Sequence, residues 1–478
     1  MAPVSKAQFL ARFSASLIEG GAAFFIGAGL SRAQGFVDWR GLLEGIARDL
    51  NLDVSREADL LALAQYHENS HGGRARINEV LIEEFNKDTV LGENHRLIAS
   101  LPADSIWTTN YDGLIEEAYR AARKRLDVKT TPANLAQTMP HRDAILYKMH
   151  GDRSQPQEAI LTKDDYETYN ERRGAFSTVL QAELIERTFL FLGFSFTDPN
   201  IDYILARVRG LLREHQRDHY CIMKWPSAPA PGATPAAMAD YEYEKRKLDL
   251  RIADLRRYHI QAVMIDSYSE ITEVLQSLDR LAHSKDILVS GSAADFAPLG
   301  QARVEEFSRQ LGAEFVRRGF RLISGYGLGI GSSVAYGALS EIHSNLSPPD
   351  KAMLMPFPQN LPHGTDRAAF YTSHREQLVR AAGFVVFISG NREGASGPEP
   401  APGVLEEFAL AAKFGRVPIP IGASGWMASQ ILGVVSADLP RYYGSADVAA
   451  ELNVLNDAGS TDRGLLEAIF SIIAKVTA

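Results

Sequence analysis

The sequence predicts an α/β protein made of two Rossmann-like parallel-sheet domains, residues 1–283 and 284–478. Three observations predict it. Short apolar runs alternate with stretches of helical period, the pattern of parallel strands covered on both faces by helices. The runs end in glycine-rich or polar motifs, and open α/β sheets bind ligands beyond the carboxyl ends of their strands. After a break near Ala282–Lys285 the alternation starts again, without repeating the first half.

Taken in order, Phe9, Leu10, Phe13 and Leu17 recur at helical spacing over residues 6–19. The run Ala22–Ile26 then leads into Gly27-Ala28-Gly29-Leu30-Ser31. Further strands are expected at Ser105–Thr109, Ile145–Met149, Thr188–Phe194, His219–Lys224 and Gln261–Ile265. Residues 226–238 read as a Pro/Ala-rich loop inside the first domain, followed by a helix over Tyr241–Tyr258. In the second domain Ile287–Val289 leads into Ser290-Gly291-Ser292, and Phe320–Ile323 into the loop Gly325–Gly331. Ala352–Met355 precedes a Pro-rich loop, Phe384–Ile388 leads into Ser389-Gly390-Asn391-Arg392, and Val417–Ile421 closes the series.

Composition narrows the function classes. The chain has 478 residues, 45% apolar and 23% charged, within the range of globular proteins. Length alone allows about three domains; the pattern supports two, each long enough to bury a core. A net charge of −9 disfavours a general nucleic-acid or membrane-surface role. The basic runs Arg120–Arg125 and Lys245–Arg257 read as solvated helix faces. Cys221 is the single cysteine, so neither an internal disulfide nor a multi-cysteine zinc site is expected, and its apolar run reads as a buried strand. With no signal-peptide core and no apolar run near the ~20 residues that span a bilayer, a cytoplasmic protein is expected.

Each motif has a bland and a functional reading. Gly27 and Gly29 let a backbone approach a pyrophosphate at a helix start, with Ser31 and Arg32 as further donors; an ordinary strand-to-helix turn would look the same. Asn110 and Asp112 read as a helix cap and first-turn acid, or as an amide and carboxylate presented at a strand end. His150 reads as a satisfied core histidine, or as a base that titrates near neutrality, with Gly151 leaving room beside it.

In chain order, Gly27–Ser31, Thr109-Asn110-Tyr111-Asp112, His150-Gly151-Asp152 and Gly193-Phe194-Ser195-Phe196-Thr197-Asp198-Pro199-Asn200 together resemble the NAD-binding and catalytic signature of the sirtuin fold, over roughly residues 10–280. The resemblance implies NAD as substrate, held by Gly27, Ala28, Gly29, Ser31, Asp112, Gly193 and Ser195, with Asn110 and His150 catalytic and no metal. Nicotinamide leaves NAD as a neutral molecule, so no general acid is required, unlike O-glycoside hydrolysis. Two departures count against a deacylase: the zinc-binding Cys-x-x-Cys pairs are absent, and Gly35-Phe36-Val37-Asp38-Trp39-Arg40 lacks the proline of the corresponding deacylase run. Water is therefore the expected nucleophile.

The second half resembles the SLOG group, through Ser290-Gly291-Ser292, Gly325–Gly331 and Gly403-Val404-Leu405-Glu406-Glu407-Phe408. Hydrolytic relatives of that fold carry a fuller glycine set than Pro402–Glu407, which favours binding over catalysis here. Sirtuin-like plus SLOG architecture resembles the effector family of the bacterial Thoeris antiphage system. That resemblance implies a cyclic ADP-ribose isomer, made by a TIR-domain partner, bound at Ser290, Gly291, Gly325, Gly327, Arg375, Arg392 and Glu407 (or Glu406, one residue away). It also implies a homotetramer. The expected function is a signal-gated NAD glycohydrolase acting in antiphage defence by NAD depletion. The alternatives are a protein deacylase, a non-catalytic nucleotide sensor, and a second domain that hydrolyses its own nucleotide.

Overall fold

Ala22–Ile26 (β1) is buried at every position and lies at the centre of a seven-stranded sheet. The computed structural model describes residues 3–346, 348–358 and 360–477, and the chain divides into two units, Met1–Asp279 and Arg280–Ala478. In the first unit the other strands are β2 (Ser105–Thr108), β3 (Leu126–Lys129), β4 (Ala144–Lys148), β5 (Thr188–Leu192), β6 (His219–Lys224) and β7 (Ile260–Ile265). Their order is β3-β4-β2-β1-β5-β6-β7, and all pairs are parallel. The chain grows from β1 toward β2 on one side and later places β5 on the other. The strand order thus reverses at β1, where a crevice opens beyond the strand ends. Continuous apolar runs such as Thr188-Phe-Leu-Phe-Leu192 are buried throughout. Helices cover both faces. In the first, Lys6–Ile18, Ser5 accepts from the Gln8 amide and Phe9, Phe13 and Leu17 point inward.

The second unit carries β8 (Asp286–Ser292), β9 (Arg321–Ser324), β10 (Ala352–Leu354), β11 (Phe384–Ser389), the hairpin pair β12 (Asn391–Gly394) and β13 (Gly397–Pro400), and β14 (Val417–Ile421). Its five-stranded sheet runs β10-β9-β8-β11-β14, all parallel, with the reversal at β8. A separate core fills this unit, with Leu288, Ile323, Val386 and Ile419 from the strands and Phe315, Leu378 and Ile469 from the helices.

Three points of the sequence reading are corrected. β3 was not anticipated because its buried positions are Asp127 and Lys129, paired at 2.9 Å, rather than apolar side chains. Beyond β11, Asn391 and Arg392 begin the antiparallel β12–β13 hairpin. The Pro/Ala-rich segment ends early, because Thr234 caps a helix with Pro235 in its first turn, and this helix runs to Leu255. The basic run Arg120–Arg125 is not a helix face throughout, since the helix Leu114–Ala121 stops inside it. Cys221 is buried in β6.

Candidate functional site

The glycines at the end of β1 are required by each other's neighbours. Gly29 N–H donates to Gly193 O at 2.9 Å. A Cβ on Gly27 would stand 2.4 Å from Gly193 O, and one on Gly193 (φ +63°) 2.4 Å from Leu30 N. The β1 and β5 turns therefore pack backbone on backbone. The close approach at Gly27 and Gly29 is thus to the Gly193 turn. Ala28, Gly29, Gly193 and Ser195 line a cavity of about 570 Å³ beside these turns, together with Trp39, Tyr166 and Asp198. That volume is in the range of small-molecule sites. Ser195 is exposed and shares a hydrogen bond with Thr197 at 2.7 Å.

Adjoining this cavity, and sharing Ala28, Asp38, Trp39 and Thr109 with it, is a smaller recess. Its wall contains Ser31, Asn110 and Asp112 with the rings of Phe36 and Phe85. Here three predicted residues meet. Asn110 Nδ2 donates to Ser31 Oγ at 3.2 Å, and Ser31 Oγ donates to Asp112 Oδ2 at 2.9 Å. The other Asp112 oxygen accepts from the Leu114 amide, just ahead of the helix Leu114–Ala121, whose N-cap is Gly113 and not Asn110. Asn110 Oδ1 is buried and has no protein partner. Buried polar atoms ordinarily bond to protein or to ordered water, so this oxygen is available to a molecule entering the recess.

His150 lies deeper, 1% exposed, and neither ring nitrogen makes a hydrogen bond. Its Nε2 is 3.4 Å from Asp198 Oδ2, and the Tyr166 ring stands edge-on at 5.4 Å. Burial pushes the imidazole below its ordinary pKa, against the pull of Asp198. The ring is thus neutral at pH 7, as a base must be. Tyr166 and Asp198 touch both His150 and the cavity; Tyr166 was missed by sequence reasoning and Asp198 was quoted only as part of a motif.

A second missed residue, Lys148, is fully buried at the end of β4. Its ammonium donates to the carbonyls of Tyr111 (3.3 Å) and Asp112 (2.6 Å) and to Glu116 (2.9 Å), and it pairs with Asp152. Burial would lower its pKa, but Glu116, Asp152 and Asp112 together raise it. It ties the Asn110–Asp112 turn to the His150–Asp152 turn. A lysine in an apolar run was the available signal.

In the second unit, Gly327 packs on the β8 end, where a Cβ would lie 2.0 Å from Gly291 O, while Gly325 faces Phe357. Ser290 is buried beneath. Arg375, on the helix Arg367–Arg380, is held by Glu406 at 2.7 Å and Glu407 at 3.8 Å, and lies against Phe357 and Tyr371. Glu407 is buried and its carboxyl is pushed up to about 6 by that burial, so it is no surface acid. Ser290, Arg375 and Glu407 therefore come together. Arg392 does not join them through any bond: it sits on the exposed hairpin and pairs with Glu399 at 2.6 Å.

Among the described residues there is no cluster of three or more His, Cys, Asp or Glu side chains able to hold a metal, and no helix long and apolar enough to cross a membrane.

Two family models match: the SIR2-like domain over residues 104–249, and the Sir2- and TIR-associating SLOG family over residues 270–476. The chain is 40% identical to the NAD(+) hydrolase ThsA of Bacillus cereus (strain MSX-D12), over 92% of this chain and 91% of that protein. It is 39% identical to the NAD(+) hydrolase ThsA of Cytobacillus dafuensis, over 99% and 97%. A more distant relative, the defense-associated sirtuin 2 of Bacillus subtilis, is 26% identical over 43% of this chain and 21% of its own length. Asn110, His150 and Asp198 fall inside the SIR2-like match, whereas Gly27–Ser31 precede it.

Proposed function

The chain belongs to the ThsA family of NAD(+) hydrolases, and from that premise we propose that it cleaves NAD to nicotinamide and ADP-ribose at the first sheet's strand-end cleft. We propose further that a cyclic ADP-ribose isomer, bound at the second unit, switches the reaction on. The observation that carries the site assignment is the buried Asn110–Ser31–Asp112 relay opening beside the large cavity, with a neutral His150 one layer behind.

In this reading the cavity lined by Ala28, Gly29, Gly193 and Ser195 takes the dinucleotide, and the recess takes the nicotinamide end. The ribose carbon–nitrogen bond breaks with its electron pair going to nicotinamide, which leaves neutral. Asn110 Oδ1 orients the attacking water or the ribose hydroxyls, and His150 removes the proton as the new carbon–oxygen bond forms. The scheme calls on no metal.

At the second unit a phosphate of the signal takes Arg375 from Glu406, by bidentate hydrogen bonding. Glu407 accepts ribose hydroxyls, while the turns at Ser290–Gly291 and Gly325–Gly327 fit the backbone close to the ligand. Arg392 is the outlying member. A TIR-domain partner supplies the signal, and the protein works as a cytoplasmic homotetramer that depletes NAD on phage infection. Unregulated NAD loss would harm the host cell, so a gate is expected; the signal can shift it only by its differential affinity for the two states.

The test is chromatography of products after incubation with NAD, alone and with each cyclic ADP-ribose isomer. Nicotinamide and ADP-ribose that appear only with one isomer establish reaction and gate together. Folded protein that binds both nucleotides and turns over no NAD under any condition sinks the hydrolase reading and leaves the sensor reading ahead.

A further inference from the structure

We propose that Asp198 is a positioning residue for His150, fixing its tautomer and stabilising the imidazolium formed when His150 takes the proton. The proposal rests on the reading that His150 is the base for NAD hydrolysis.

The geometry carries it. Asp198 Oδ1 accepts from the amides of Asn200 (3.0 Å) and Ile201 (3.1 Å), capping the helix Pro199–Leu212. Its other oxygen accepts from Tyr166 Oη at 3.0 Å and faces His150 Nε2 at 3.4 Å. The carboxylate is therefore held by three donors and cannot easily turn away. The 3.4 Å gap is longer than an ordinary hydrogen bond, as catalytic contacts without substrate often are.

The other charged and titratable groups around the ring do not compete for this role. Asp165 is bound to Arg74 at 2.6 Å and Arg172 at 3.1 Å, and accepts from the Leu161 and Thr162 amides. Arg173 donates to the carbonyls of Thr130, Met149 and Glu158. Tyr169 donates to Met149 O at 3.2 Å, and Tyr166 is the residue that anchors Asp198. Among the described residues, Asp198 is the carboxylate in contact with the imidazole.

A carboxylate at Nε2 keeps the proton on that nitrogen and leaves the lone pair on Nδ1. In the hydrolytic step the water oxygen bonds to the anomeric carbon and the glycosidic electron pair departs with nicotinamide. The water proton goes to the ring nitrogen that Asp198 does not hold. The positive charge then on the ring is compensated at contact distance by the Asp198 carboxylate.

Asp198→Asn is the informative change. Asn is as good a helix cap as Asp, so the variant removes the charge and keeps the local fold; Asp198→Ser, also a good cap, is the second variant should Asn disturb packing. The measurement is the pH profile of NAD hydrolysis in the full chain, with whichever cyclic ADP-ribose isomer activates the parent protein. The expected result is a kcat lower by about ten- to a hundredfold, a fraction of what a positioned general base contributes. The acidic limb of kcat/KM should also move to lower pH, since the ring loses the charge that favours its protonation. An unchanged profile, or a lower kcat with the limb unmoved, would overturn the proposal, because a merely structural residue gives the latter. A parallel NMR titration of ring-labelled histidine, with the His150 signal assigned by its loss in His150→Gln, needs no turnover. If the parent protein hydrolyses no NAD, the functional reading fails while this titration still decides the pair. A His150 signal that titrates at lower pH in Asp198→Asn upholds it, and an unmoved signal refutes it.

Discussion

Lys148 and Glu407 show how burial and neighbouring charges together set the behaviour of single charged residues. Lys148 is enclosed by four acceptors, two of them carboxylates. Removing the cation in Lys148→Met leaves Glu116 and Asp152 without it, so a loss of about 3–5 kcal/mol is expected in denaturant melts. The Asp152 carboxyl, raised by burial but lowered further by Lys148, lies net below its ordinary pKa of 3.8. Its contribution is therefore present at neutral pH and is lost as pH falls through the folded-state value. Glu407 has the opposite sign. Its carboxyl moves from 4.5 to about 6 on folding, so the favourable contribution exists below pH 4.5 and disappears as pH rises through about 6. At pH 7 the buried carboxylate is a cost. Glu407→Gln should stabilise the protein by up to about 2 kcal/mol at pH 7 and by little at pH 4. The same change should weaken binding of the cyclic ADP-ribose signal, a trade of stability for function that calorimetry on both quantities would reveal.

At the scale of elements, the strand ends are joined by paired glycines. Gly27 and Gly29 sit against Gly193, and Gly327 against Gly291. In both sheets a turn after the first strand must pass within contact of another turn's backbone, and only residues without a Cβ permit it. Gly193→Ala would place a methyl 2.4 Å from Leu30 N at a φ of +63°. A destabilisation of roughly 3 kcal/mol or more is expected, with NAD affinity falling as the cavity wall shifts. A thermal melt alongside NAD titration checks this; full stability in the variant would mean that the β1 and β5 turns are not packed as described. The strand that escaped the sequence reading, β3, teaches a related point. Its inward positions are an ion pair, so the apolar-run signal had nothing to detect.

For the whole molecule, two sheets with separate cores carry the two candidate sites, made of different residues. Changes confined to one site are then expected to leave binding at the other intact. Asn110→Ala and His150→Ala should abolish NAD cleavage while the cyclic ADP-ribose signal binds the second unit with unaltered affinity, as read by calorimetry. Arg375→Ala should do the reverse, removing signal binding and hence activation, while NAD affinity at the first unit is retained. Loss of both functions in any of these variants would indicate misfolding and not a site effect.

The sequence by itself determined the two-sheet α/β class, most strand positions to within one or two residues, and the strand-end motifs from which Asn110, His150 and Glu407 were picked. These are local: apolar period, turn residues and caps are written in contiguous segments. Only the tertiary structure decided that Ser31 bridges Asn110 and Asp112, which stand 79 and 81 positions from it. It alone placed Asp198 and Tyr166 against His150 and put Lys148 between the Asn110–Asp112 and His150–Asp152 turns. Those relations depend on strand order, on which elements the parallel crossovers bring side by side, and on desolvation. None of the three has a signature in neighbouring residues, because burial and charge pairing are properties of what the fold assembles around a side chain.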